Sequence, residues 1–361
     1  MTPQVRYTRD DKTTGFASST VGGRSVLGGA IGAAQLAASG NPAAIAQANA
    51  ILGALQSPGV QSIPTSLLPN FGLTFQPTAN NGDTATRDNT SDGFTWRLVG
   101  KYKLSDDASV YASYARGRRP EVLAVGGPAA PYGAVRFAVV EAETVDSYEI
   151  GAKSFWLDRR LRLDGAIYAY DYNNFQTVEQ QGTLFVTANA GKAKAYGFEG
   201  QADFALTPML DLFGTYAYSH ARFDAGAYDG NHFRLSPDHT VSLGASARFH
   251  LFGGLLDVRP TYSWQSKVFF DDNNDRSVFQ QPPSVFVADN KQDEFQDAYG
   301  LVNLRVTYRP DALPLTLEAF VTNLGDKRYI IDAGNTGDSL GLPTFIAGPP
   351  RFWGMGVSYK F

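Results

Sequence analysis

Three arginines, Arg116, Arg118 and Arg119, lie close together where an alternating segment of the chain gives way to a loop. Positive side chains grouped at one place raise the local concentration of anions and favour the approach of an anionic ligand. The same charges could instead hold phosphate groups at a membrane surface or pair with acidic side chains of neighbouring loops. The sequence therefore predicts contact with an anion here and leaves the kind of anion open.

Aromatic side chains in the loops form a second candidate site. Their rings could stack on a planar ligand, although packing of one loop against another is the commoner use of such residues. The four that we take as candidate ligand contacts are Tyr132, Phe137, Tyr228 and Phe233, and Phe269 and Phe270 lie in a similar setting.

Acidic residues and histidines are weaker candidates for metal binding. Residues 271–275 read Asp-Asp-Asn-Asn-Asp and could bind Ca²⁺, but they lack the glycine and the distal glutamate of an EF-hand loop. We therefore expect a solvated loop. The four histidines, His220, His232, His239 and His250, would have to converge to hold a metal. We predict no metal site and no cofactor.

The elements that must position these residues alternate between apolar and polar side chains with period two, which predicts β-strands. The charged members of each strand must avoid lipid and line a wet or protein-filled interior. About twelve strands are predicted, at residues 3–9, 94–103, 107–117, 145–157, 160–174, 193–206, 209–221, 239–250, 255–267, 298–309, 314–323 and 350–361.

The last predicted strand has one wholly apolar face. Trp353, Val357, Tyr359 and Phe361 lie on that face together with Met355. A transmembrane barrel needs such a face towards lipid, and its last strand must pair to close the wall. We interpret the segment as the closing strand of an outer-membrane β-barrel, and its aromatic and apolar residues as the signal that the barrel-assembly machinery recognises.

Composition agrees with this fold class. The chain has 361 residues, 43% of them hydrophobic, and no cysteine. It has no stretch of about 18 apolar residues, which argues against a membrane-spanning helix. The formal net charge of −4 gives no support for nucleic-acid binding.

The connections between the predicted strands alternate between short turns and long loops, which is typical of outer-membrane barrels with short periplasmic turns and long extracellular loops. The sequence therefore predicts an all-β fold, an antiparallel transmembrane β-barrel with membrane lipid and lipopolysaccharide around it. The longest loop, residues 10–93, contains a helix-like stretch at residues 41–56 that begins with Asn41 and Pro42.

Several segments resemble the C-terminal barrel of TonB-dependent outer-membrane receptors. They cover the chain from about residue 94 to its end, and the opening residues 5–10 are also similar to a barrel strand of this family. The matching segments are Val110–Pro120, Glu143–Lys153, Asn189–Gly200, Leu235–His239 and Val321–Tyr329.

The resemblance implies a barrel of about 22 strands in the bacterial outer membrane, of which this chain would be the C-terminal portion. It also implies active uptake of a scarce nutrient, commonly a ferric siderophore, with energy from the TonB complex. Family members carry an N-terminal plug domain, and residues 1–361 contain none. We therefore expect an N-terminally truncated receptor barrel that engages TonB only in its full-length form.

Four charged residues on the predicted inner face, Glu149, Lys153, Glu199 and Arg305, could form a track for the ligand or an ionic network that contacts a plug. A passive outer-membrane pore is an alternative function. A twelve-stranded phospholipase-like enzyme is another, but we find no convincing Ser/His motif. Ser219 and His220 are adjacent in a strand and point to opposite faces, so we predict that the chain is not an enzyme.

Overall fold

A computed structural model describes residues 1–17, 33–34, 36–56, 84–126, 136–181, 184–279, 291–334 and 344–360. In chain order its strands are β1 (Thr2–Ala17), β2 (Thr84–Lys103), β3 (Ala108–Arg119), β4 (Val122–Gly126), β5 (Arg136–Val140), β6 (Glu143–Trp156), β7 (Leu161–Asn173), β8 (Gln176–Gln181), β9 (Leu184–Asn189), β10 (Lys192–Thr207), β11 (Leu210–Ala225), β12 (His239–Leu251), β13 (Gly254–Gln265), β14 (Val268–Phe269), β15 (Phe295–Gln296), β16 (Tyr299–Pro310), β17 (Leu315–Thr322), β18 (Ile330–Ala333), β19 (Phe345–Ala347) and β20 (Phe352–Tyr359).

Twelve of these strands form one antiparallel sheet in the order β1-β2-β3-β6-β7-β10-β11-β12-β13-β16-β17-β20. The remaining eight pair as four short ribbons in the long loops. Within the described residues β1 and β20 are not paired with each other, so the sheet is open. The predicted all-β architecture of about twelve antiparallel strands is confirmed. The twelve strands form an open barrel wall and not a closed barrel.

The sheet has one apolar face and one polar face because the register keeps like residues beside each other. Leu98 lies opposite Tyr114, and Leu317 opposite Val357. The apolar face carries large exposed side chains, as the outside of a membrane barrel must. Among them are Phe94, Leu98, Ile150, Ile167, Phe198, Leu243, Val302, Trp353, Met355 and Val357.

On β20 the predicted assembly residues Trp353, Val357 and Tyr359 share this apolar face and are all exposed. Phe361 lies outside the described residues. Recognition of these residues by the assembly machinery stays a prediction.

Strands β1 and β2 continue well beyond their predicted bounds and pair from Thr2 opposite Val99 to Ala17 opposite Thr84. Their outer halves are rich in Thr and Asp and have no apolar face. The period-two alternation therefore ends before the pairing of the two strands ends. Side chains join the two strands there, with Thr13 Oγ1 donating to Asp88 Oδ1 at 2.6 Å. A hairpin surrounded by water needs no apolar face, which explains why the predicted strands are shorter than the observed ones.

A helix spans Pro42–Gln56, one residue shorter at its start than predicted. Asn41 caps it, because its Oδ1 accepts a hydrogen bond from the amide of Ala43 at 2.9 Å. Ala48 and Ile51 are buried against Ala33. In the described ranges no helix has the length and apolar character needed to cross a bilayer.

A charge placed on the apolar face of β20 should prevent assembly. Met355 lies mid-strand on that face, where a cation in lipid costs about 2–4 kcal/mol. We expect Met355→Arg to lower the amount of chain recovered in the outer-membrane fraction. Gly356→Arg is the matched control: it places the same cation on the polar face, where an added β-carbon meets no atom within 4 Å. Equal recovery of the two variants would contradict the assignment of faces.

Candidate functional site

Aromatic side chains pack together where β7, β10 and β11 emerge into the long loops. Phe223 is 1% exposed, and its ring centroid lies 5.4 Å from that of Phe175, 5.5 Å from Tyr228 and 5.0 Å from Phe233. We call this group the mouth cluster; it consists of Tyr172, Phe175, Ala190, Ala193, Phe223, Tyr228, Phe233 and Phe279. The structure thus brings together two of the predicted ligand contacts, Tyr228 and Phe233, and packs them inside a core of the loops.

Beside the mouth cluster, a buried polar network ties three loops to one another. The carboxylate of Asp272 accepts hydrogen bonds from the Thr177 hydroxyl and, at 3.1 Å, from the amide of Arg234. The Asn274 side chain accepts from the amide of His232 at 2.6 Å and donates to its carbonyl at 2.9 Å. The side-chain amide of Asn231 donates to the carbonyl of Asp272 at 2.9 Å. We call Asn231, Asp272 and Asn274 the loop bracket.

The loop bracket corrects one prediction from the sequence. Residues 271–275 were expected to form a solvated loop, but Asp272, Asn274 and Asp275 are buried. Their side-chain oxygens accept hydrogen bonds from backbone amides of other segments. In the described ranges no group of three or more His, Asp or Glu residues is placed to hold a metal ion.

The three predicted arginines occupy separate environments. Arg116 lies on the apolar face of β3, forms a two-point ion pair with Asp146 and covers the ring of Trp96 at 4.9 Å. Arg118 is largely buried and donates to the Ser91 hydroxyl.

Arg119 donates to the carbonyl of Gln176 at 3.1 Å, which joins the end of β3 to the loop strand β8. All three guanidinium groups therefore have partners within the chain.

The other two predicted aromatic contacts are not part of the mouth cluster. Phe137 lies on β5, and its carbonyl accepts a hydrogen bond from Arg87 at 3.3 Å. Tyr132 lies outside the described residues. Contact of any of these side chains with a ligand stays a prediction.

The polar face of the sheet carries the predicted inner charges in two places. Tyr111 donates to Glu149 at 2.5 Å, and the same tyrosine lines an open recess of about 470 Å³ together with Lys153 and Glu199. Arg305 lies elsewhere, paired with Glu318 at 3.2 Å. Three of the four residues therefore share one stretch of inner wall.

A feature that sequence reasoning missed is the register of β13 against β16, which sets Arg259 directly opposite Arg305. Like charges in that position repel. Each arginine is compensated by its own carboxylate, Asp257 at 2.7 Å for Arg259 and Glu318 for Arg305. No pattern within a single strand reveals which residues a register will place opposite each other.

His232 in the loop between β11 and β12 makes the loop layer sensitive to pH. Burial of the imidazole lowers its pKa, the Arg222 cation lowers it further, and Asp238, 3.9 Å away, acts in the opposite direction. His220 and Lys267 also act to lower the pKa of His232. The unfolded chain therefore binds a proton at a higher pH than the folded chain. The stability of the loop is complete above about pH 6.5 and falls as the pH drops below that value.

We expect backbone amides of residues 226–238 to exchange hydrogen faster, relative to the intrinsic rate, at pH 5.5 than at pH 7.5. His232→Gln should remove this pH dependence, whereas His250→Gln, an exposed residue of β12, should leave it intact. Native-state hydrogen exchange followed by mass spectrometry measures both. The same pH dependence in the two variants would show that another group is responsible.

Comparison with known proteins decides the family. Residues 3–324 match the family model described as TonB dependent receptor-like, beta-barrel. The chain belongs to the TonB-dependent receptor family. It is an outer-membrane β-barrel protein, and the relatives named below are receptors and transporters rather than enzymes.

Two curated relatives match parts of the chain. The ferrichrome outer membrane transporter/phage receptor of Escherichia coli K12 is 29% identical over 71% of this chain and 31% of its own length. The probable TonB-dependent receptor BfrD of Bordetella pertussis is 28% identical over 45% of this chain and 24% of its own length. The chain thus spans about a quarter to a third of the length of these relatives.

Solved structures show the same fold. The ferric yersiniabactin uptake receptor FyuA of Yersinia pestis superposes with a TM-score of 0.62 at 19% identity, over 78% of this chain and 39% of that one. The siderophore receptor PiuA of Acinetobacter baumannii gives a TM-score of 0.55 at 19% identity, over 78% and 37%.

Proposed function

We propose that the chain is part of a receptor that binds a ferric siderophore at its extracellular mouth and, in the full-length receptor, passes it inward with energy from the TonB complex. Membership of the receptor family is the observation that carries this proposal. The names of the relatives support the substrate class, since they include a ferrichrome transporter, a ferric yersiniabactin receptor and a catecholate siderophore receptor of Escherichia coli.

The loop layer fits a role in ligand capture. Many of its polar side chains are already used within the chain, and its aromatic residues form a packed base. A ligand would therefore meet a surface that is organised before binding, which reduces the ordering cost of recognition. In this proposal Tyr228 and Phe233 shape the site from below, and Arg119 contributes positive charge at the rim of the mouth.

The recess on the polar face fits contact with a plug domain. Glu149 and Glu199 are acidic, and Lys153 and Arg162 lie beside them. A plug with cationic side chains would find complementary charge on this part of the wall. The chain by itself should not transport.

Uptake of radioactive iron tests the proposal. The complete gene that encodes this chain is expressed in cells without other siderophore receptors, and ⁵⁵Fe is supplied on a hydroxamate, a catecholate and a mixed-ligand chelator in turn. We expect accumulation from one class, and loss of that accumulation when TonB is deleted. Accumulation that does not need TonB, together with steady conductance in planar bilayers, would indicate a passive pore. Absence of uptake for every class would overturn the siderophore assignment.

A further inference from the structure

Each of the five short turns on the periplasmic side presents a large apolar side chain to the surroundings. The turns connect β2 to β3, β6 to β7, β10 to β11, β12 to β13 and β16 to β17. In every turn one such side chain is more than half exposed, and Phe252 is 93% exposed. We call them the turn residues; they are Leu104, Leu157, Met209, Phe252 and Leu313.

The backbone conformation of the turns does not account for apolar residues at these positions. Phe252 has a φ of 54° and is followed by Gly253 at 69°, a backbone form that favours Asn or Asp before Gly. Leu157 likewise has a φ of 56°. A bulky side chain with positive φ is uncommon because its β-carbon crowds the backbone. In these two turns an apolar residue therefore stands at a position where a small polar residue would be less strained and better hydrated.

The turn residues continue the lipid-facing surface of the barrel. Exposed apolar or aromatic side chains of the strands lie within two residues before three of the five: Tyr102 before Leu104, Trp156 before Leu157, and Leu251 before Phe252. Aromatic residues at this level of a membrane barrel sit at the boundary between headgroups and acyl chains. The turns extend the same surface by one more residue.

The spread of the turns around the wall also points to lipid. The first and the last turn are eight strand spacings apart in the sheet order, which corresponds to roughly 40 Å along the wall. A bilayer leaflet surrounds the whole barrel and meets all five positions at once. We propose that the five turn residues are embedded in the headgroup region of the periplasmic phospholipid leaflet and hold the barrel at a fixed depth.

Single cysteines test this placement, since the chain has no cysteine of its own. Each turn residue is changed to cysteine in turn, and Asp106→Cys, in the same turn as Leu104, serves as the matched polar control because the Asp106 side chain is largely exposed. The reaction rate with a charged maleimide is measured in outer membranes opened to the periplasmic side, and again with purified chain in vesicles of phosphatidylethanolamine and phosphatidylglycerol.

We expect the turn cysteines to react about tenfold more slowly than Asp106→Cys in both preparations, because apolar surroundings disfavour the reactive thiolate. Rates equal to that of the control would overturn the proposal. Protection in outer membranes that disappears in the vesicles, where the chain is the only protein, would also overturn it, because a periplasmic protein would then cover the turns.

Met209 allows a second test on the unchanged chain, which does not depend on the assembly of any variant. Oxidation of methionine follows its exposure to water. In outer membranes treated with a water-soluble oxidant, Met209 should convert to the sulfoxide slowly, at a rate close to that of the lipid-facing Met355. Conversion of Met209 as fast as in the urea-unfolded chain would place it in water and contradict the proposal.

Discussion

Replacement of Phe223 by alanine should loosen the extracellular loop layer while the strands remain assembled. Phe223 is the most deeply buried ring of the mouth cluster and touches three other rings, which come from two loop segments. Removal of a buried phenylalanine costs about 3–5 kcal/mol, part of it from the cavity that remains. The cost should fall on the loops, because only the outer ends of β7, β10 and β11 take part in this packing.

Limited proteolysis measures the effect, since Arg234 and Arg276 lie in the loops that the cluster supports. Trypsin should cut Phe223→Ala at these sites faster than the parent chain, with no change in the fraction found in the outer membrane. Phe223→Leu is the matched control. Trypsin should cut it at an intermediate rate, because leucine fills part of the volume that phenylalanine occupies. Unchanged cutting in Phe223→Ala would show that the cluster does not hold the loops.

The sheet could be predicted from the sequence because every membrane-spanning strand must place apolar side chains towards lipid and polar side chains away from it. Val302, Leu304 and Val306 must face lipid, and Asn303 and Arg305 must avoid it, so the alternation identifies both the strand and its faces. This requirement for an apolar face ends at the membrane surface. The paired segment Thr84–Ser91 has no apolar alternation, and its pairing with β1 could not be predicted for that reason.

The candidate site could be predicted only in part, because packing between loops joins residues that are far apart in the chain. Tyr228 and Phe233 stand out as aromatic residues in a loop, and the structure places both in the mouth cluster. Phe223 belongs to a strand pattern and gives no separate signal. The charge of Arg116 would by itself place this residue on the polar face of β3; it lies on the apolar face, where the register with β6 sets its partner Asp146 beside it.

The prediction of a solvated loop at residues 271–275 was wrong for the same reason. Five consecutive Asp and Asn residues are typical of exposed turns. Here their oxygens meet backbone amides of the 226–238 loop and of residue 294, which need acceptors once the loops pack. Burial with these partners is favourable, but no local pattern shows where the donors will come from.

Asp272→Ala should therefore open the loop layer as effectively as the loss of a large ring. The change removes the acceptor of the Thr177 hydroxyl, which is buried, and of the Arg234 amide, which is partly buried. Hydrogen bonds to a charged group contribute about 1.5–3 kcal/mol each, so we expect the loops to lose about 3 kcal/mol or more. Hydrogen exchange of the 226–238 segment should accelerate by about a hundredfold or more, since 1.4 kcal/mol corresponds to about tenfold.

Asp229→Ala, an exposed aspartate of the same loop, is the control and should leave exchange unchanged. The double variant of Asp272→Ala with Phe223→Ala should cost less than the two single changes together. Both act on the 226–238 loop, since the amide of Phe223 donates to the carbonyl of Asn231 at 3.0 Å and the side chain of Asn231 donates to the carbonyl of Asp272. The free-energy effects of substitutions at residues that share partners do not add. Strict additivity would show that the ring cluster and the loop bracket hold different parts of the mouth.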